Sequence, residues 1–136
     1  MKKLLMLGTS TASAEMIACA KKMGAYVIAT DNFPYEESHS KQLADEYWMI
    51  STGEVDVLEA KCRETGVNAV ICGISEFNQD MALELCKRLD LPSYCDEETW
   101  HYGRNKVDFK KNRGYYSKYY GKRYGKRGYG RSYNYE

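Results

Sequence analysis

Four short apolar runs, each followed by a stretch of different periodicity, constrain this chain more than any other feature. The first, Lys3 to Leu7, ends in Gly8-Thr9-Ser10. A run apolar on both faces suits a central parallel strand better than a half-exposed one. From Thr11 to Met23 the apolar residues Met16, Ile17, Cys19, Ala20 and Met23 recur at helical spacing, and Gly24 follows as a helix-ending glycine should. Tyr26 to Thr30 is the next strand, closed by Asp31. A parallel pair requires such a helical crossover. The pattern continues with a short helical segment from Ser40 to Asp45 and a strand from Glu46 to Ile50. A helix from Val55 to Thr65, stopped by Gly66, leads to a strand from Ala69 to Cys72. The last helix, Glu76 to Leu89, carries Met81, Leu85 and Leu89 on one face and is ended by Leu91-Pro92. This alternation predicts an α/β fold, a Rossmann-like doubly wound parallel sheet over residues 1–95.

Such sheets bind ligands at the carboxyl ends of their strands, near the point where strand order reverses. Three segments qualify. Gly8, Thr9 and Ser10 open a small-residue turn at a helix start, where close backbone approach and free amides favour an anion. It lacks the second and third glycines of a dinucleotide fingerprint, so ligand contact stands beside plain N-terminal capping as a reading. Asp31 sits where a dinucleotide-binding domain places the acid for a ribose hydroxyl, or serves as a turn residue. Ser75, Glu76 and Asn78 offer a hydroxyl, a carboxylate and an amide, or a cap and first turn. His39 and His101 have no partner at catalytic spacing, and no nucleophile elbow, P-loop or HExxH motif occurs. No catalytic residue and no metal ligand is assigned.

Composition divides the chain. Residues 111–136 hold eight Tyr, five Gly, four Lys and four Arg with Glu136 as their one acid, a net charge of +7. With the whole chain at +1, residues 1–110 carry −6. The tail contains no Leu, Ile, Val, Phe, Met or Ala, which explains a mean hydropathy of −0.65 beside a well-patterned body. Too few aliphatic residues remain for it to fold, and residues 112–136 are expected to be a disordered, basic Tyr/Gly-rich tail. No run approaches the length of a membrane span, and the apolar residues after Met1-Lys2-Lys3 stop too soon for a signal peptide. Cys19, Cys62, Cys72, Cys86 and Cys95 show no zinc spacing. Reduced thiols in a cytoplasmic protein are expected, with Cys19, Cys62, Cys72 and Cys86 buried as small hydrophobes.

Lys2-Lys3-Leu4-Leu5-Met6-Leu7-Gly8, Ala18 to Ile28, Ala44 to Trp48, Leu89-Asp90-Leu91-Pro92 and Arg104 to Lys111 together resemble the opening of ATP-grasp carboxylate–amine ligases. The group related to carbamoyl-phosphate synthase large subunit and biotin carboxylase is the nearest in pattern. The resemblance implies a pre-ATP-grasp domain over residues 1–95 that helps form the cleft for a small carboxylate substrate. It implies that residues 96–111 begin the ATP-binding part, with Lys106 at the position of a basic residue that contacts ATP phosphate. A cation there suits a phosphate. Members use ATP and Mg²⁺ to make an acyl phosphate that an amine attacks. Residues 112–136 do not resemble the family's continuation, so this chain alone is expected to be inactive and to hold neither ATP nor Mg²⁺ tightly.

Two readings of the tail follow. Interleaved cations and tyrosines suit single-stranded nucleic acid, neutralising phosphates and stacking bases; the chain is then a small α/β binding module. Alternatively, tyrosine codons read one base later give mostly Ile or Thr, and one base earlier often Leu, Ile or Val. An out-of-frame segment of a truncated ligase then looks like this tail. The abrupt change after Lys111 favours the second reading.

Overall fold

The computed structural model describes residues 1–111, and both expectations about the tail lie outside them. The chain divides into two units, Met1–Glu97 and a second that begins at Glu98. The first is an α/β unit whose strands β1 (Lys3–Leu7), β2 (Tyr26–Thr30), β3 (Glu46–Trp48) and β4 (Ala69–Cys72) alternate with helices α1 (Thr11–Lys22), α2 (His39–Leu43), α3 (Val55–Thr65) and α4 (Glu76–Leu89). A 3-10 turn at Tyr35–Glu37 precedes α2. The four strands form one parallel sheet in the order β3-β2-β1-β4, the Rossmann-like arrangement that the alternation predicted.

Side-chain alternation along β1 explains how the sheet is clothed on both faces. Leu5 and Leu7 join Ile28, Trp48, Val70 and Cys72 on one face, sealed by Leu58 and Cys62 of α3 and by Leu85 and Cys86 of α4. Leu4 and Met6 join Val27 and Ala29 on the other, against Ile17 of α1 and Leu43 beside it. Fully burying an aliphatic side chain stabilises by about 1.5–3 kcal/mol, so two filled faces commit the strands to this register. The second face is less completely covered. Leu4, Met16, Ala20, Ala25, Ala69 and Ile71 line an open apolar groove of about 570 Å³ beside α1.

Local signals account for the element ends. Gly24 and Gly66 follow α1 and α3 at φ +85° and +77°, the left-handed backbone that glycine adopts without penalty. At the end of α4 that conformation falls to Asp90 at φ 54°, ahead of the Leu91-Pro92 pair expected to end it. Two other expectations are corrected. β3 is three residues long and not five, because Met49 and Ile50 leave the sheet; the Ile50 carbonyl instead accepts the Thr30 hydroxyl at 2.7 Å. Cys19 is exposed on α1, whereas Cys62, Cys72 and Cys86 are buried; all five cysteines are free.

The second unit's described part holds nearly all of α5 (Glu97–Arg104) and helical residues 106–111. Asn105 Oδ1 accepts from the amides of Val107 and Asp108, each at 3.1 Å, as a helix N-cap does. His101 Nε2 lies 2.7 Å from Asp108 Oδ2. No helix among the described residues is long and apolar enough to cross a membrane.

Candidate functional site

The register aligns Leu7 with both Thr30 and Cys72, and Thr30 with Trp48. The strands therefore end level, and the loops that follow them emerge side by side. Strand order reverses between β1 and β4, and there a cleft of about 460 Å³ opens. Gly8, Thr9 and Ser10 line it from the β1 loop, Asp31 from β2, and Ser75 and Asn78 from the start of α4. The structure thus brings these six expected residues to one place. Glu76 is not among the lining residues; it is exposed in the first turn of α4. Lys106 is exposed in the second unit's helical residues 106–111.

The β1 turn is built for close approach. Gly8 has φ +89°, its amide bonds the Thr30 carbonyl at 3.0 Å, and a Cβ on it would meet Asn78 Nδ2 at 2.6 Å. Only glycine admits the Asn78 amide there. That amide group makes no hydrogen bond to any described residue, so its donors and acceptor remain available to a ligand. Ser75 caps α4 by accepting the Asn78 backbone amide at 3.3 Å. Ser10 occupies the cap position of α1 without a side-chain cap bond; its hydroxyl pairs with that of buried Ser13 at 3.2 Å. Gly73, after β4, brings that loop so near α1 that a Cβ would lie 3.2 Å from Ser13 Oγ.

Asp31 is committed to the protein. Its carboxylate accepts from the Thr9 hydroxyl, from the Phe33 amide at 2.9 Å and from Lys41 Nζ at 2.7 Å. The Lys41 side chain is wholly buried, and Nζ also reaches the Asp31 carbonyl at 3.0 Å, the Phe33 carbonyl and Met49 Sδ at 3.2 Å. Burial pushes the Asp31 carboxyl up, but the bonds from Lys41, Thr9 and Phe33 and the lysine charge outweigh it and hold the group below its ordinary value. This knot joins the end of β1, the end of β2 and α2.

Sequence reasoning missed Lys41, Phe33, Glu37 and Thr52. Thr52 was within reach, since Ser51-Thr52-Gly53 follows β3 as Gly8-Thr9-Ser10 follows β1 and lines the same cleft through Thr52. Phe33, Glu37 and Lys41 carry no such signal, because the irregular 31–38 segment decides where they point. The cleft's lining among the described residues does not fit Mg-ATP: it holds no Lys or Arg, and no group of three or more His, Cys, Asp or Glu among the described residues is placed to hold a metal.

No family model matches the chain. It is 32% identical over 84 residues to the formate-dependent phosphoribosylglycinamide formyltransferase of Prochlorococcus marinus subsp. pastoris, a match covering 62% of this chain and 21% of that protein. The fold is similar to the crystal structure of phosphoribosylglycinamide synthetase from Anaerococcus prevotii, with TM-score 0.67 and 22% identity over 85% of this chain and 29% of that one. It is similar also to the biotin carboxylase domain of Hydrogenobacter thermophilus 2-oxoglutarate carboxylase, solved with MgADP and bicarbonate, with TM-score 0.56 and 20% identity over 66% of this chain and 21% of that one. These relatives are ATP-grasp ligases, as the sequence resemblance implied, and none of the three is a carbamoyl-phosphate synthase. The chain spans about a fifth of the length of this curated relative.

Proposed function

We propose that the first unit is the N-terminal, substrate-side domain of an ATP-grasp carboxylate–amine ligase of the group containing carbamoyl-phosphate synthase and biotin carboxylase, acting in the cytoplasm. The observation that carries this is the cleft where strand order reverses, which gathers Gly8, Thr9, Ser10 and Asn78 from opposite sides of the reversal. The 32% identity to a formyltransferase of that family supports it. In this reading the unit holds part of the substrate while ATP and Mg²⁺ are handled elsewhere in a ligase, Lys106 meeting a phosphate. The role of the unit in this reading is binding. Five free thiols suit a reducing compartment.

Backbone amide spectra of the full chain test the proposal. Separate titrations with acetate, glycinamide and D-ribose represent a carboxylate, an amine and a hydroxyl-bearing ring. At least one is expected to move the amides of Gly8, Thr9, Ser10 and Asn78 saturably. If none moves them, the cleft is not a substrate site and the reading fails.

A further inference from the structure

We propose that Tyr94 guards an open edge of the sheet, occupying peptide groups with which β4 of a second copy of this chain would otherwise pair. β4 is the outer strand on its side, with no strand beyond it among the described residues. The Tyr94 hydroxyl stands where a neighbouring strand's peptide would. The Cys72 amide donates to it at 3.2 Å, and it donates to the Cys72 carbonyl at 3.1 Å. In a parallel ladder the amide and carbonyl of one residue point to the same side, and successive residues alternate. Cys72 faces outward, so Val70 does too, while Ala69 and Ile71 face β1. Tyr94 closes one of these outward residues and leaves Val70 with no strand to pair with.

The two edges of the sheet are protected differently. Natural sheets blunt an edge with short strands, charges, prolines or a cover. β3, at the far edge, has three residues and carries Glu46. β4 reads Ala-Val-Ile-Cys, uncharged and without proline, so its protection falls to Tyr94. That residue is 58% exposed, and its hydrogen bonds to the strand, more than burial, hold it there. The pattern of free groups fits a second copy. Set antiparallel about Ile71, β4 pairs its Val70 with Cys72 of the second copy and its Cys72 with that copy's Val70. Because the same two residues face outward on both strands, every outward amide of this pair meets a carbonyl. The axis also brings Ile71 of each copy together on the face where Ala69 and Ile71 line the open apolar groove beside α1. Pairing therefore covers part of that groove together with the edge.

Sedimentation equilibrium of the full chain and of Tyr94→Phe, under reducing conditions and with amide hydrogen exchange on both, is the test. In the native chain the Val70 amide is expected to exchange much faster than that of Ile71, with Cys72 protected. Tyr94→Phe is expected to self-associate roughly tenfold more tightly, through the loss of two neutral hydrogen bonds that kept the edge closed. Val70 should become protected on association. Adding Ile71→Lys, its fold checked by circular dichroism, sets like charges at the axis and is expected to abolish the gain. Equal self-association of the native chain and Tyr94→Phe overturns the proposal, as does a gain that survives Ile71→Lys or leaves Val70 unprotected. A Val70 amide as slow as that of Ile71 in the native monomer also overturns it, and that measurement needs no variant.

Discussion

At the scale of single residues, the Thr9–Asp31–Lys41 knot sets the energetics. Lys41→Met removes the cation and leaves the Asp31 carboxylate, which is largely shielded from water, without its partner. Breaking such a pair by deleting one member costs about 3–5 kcal/mol, and urea denaturation should show a loss of that order. Lys41→Met with Asp31→Asn should recover much of it, since no unpaired charge remains. The pH dependence has a definite sign. The Asp31 carboxyl is held below its ordinary value of 3.8 in the folded protein. Its contribution is therefore present in full at neutral pH and above about pH 5, and is lost as pH falls through the folded value. The stability of Asp31→Asn should fall less between pH 5 and 3 than that of the native chain, as read from denaturation midpoints. Gly8→Ala forces a side chain onto φ +89° and drives a Cβ to 2.6 Å from Asn78 Nδ2. A destabilisation of about 1–3 kcal/mol is expected, with a displaced Asn78 side-chain amide signal in the spectrum.

At the scale of elements, the buried thiols report packing. Burial, with Cys86 nearby, pushes the Cys62 and Cys72 thiols up to about 11. Few thiolates exist there at pH 8, and the thiolate is the reactive form. A thiol reagent at that pH is expected to label Cys19 and Cys95 in the native chain, and Cys62, Cys72 and Cys86 only after unfolding. Rapid labelling of all five would show that α3 and α4 do not close over the sheet. Legibility varied between elements for physical reasons. β1, β2, β4, α3 and α4 carry unbroken apolar runs or a clear helical stripe, and their limits matched the expected ones. Residues 31–44 do not, because that segment is organised by hydrogen bonds to a buried lysine rather than by periodic burial. Cys19 shows the limit of periodicity: Ile17 and Ala14 face the core on α1 while Cys19 turns outward. The cleft was legible where it rests on the general rule about strand ends, and hidden where it rests on the 31–38 loop.

At the scale of the whole molecule, one sheet serves two purposes: its faces make the core and its carboxyl end makes the cleft. The parts of the cleft differ in how firmly the fold holds them. Gly8, Thr9 and Asp31 are tied to strand ends and to the knot behind them. Phe33, Glu37 and Ile74 line the cleft as exposed residues outside the core. The knot thereby separates stability from selectivity. Side chains at the margin can be exchanged at little cost to folding, often within about half a kcal/mol for exposed positions, while the floor beneath them keeps its shape. A scaffold divided in this way can acquire preferences for new ligands by drift at three positions without first risking its fold.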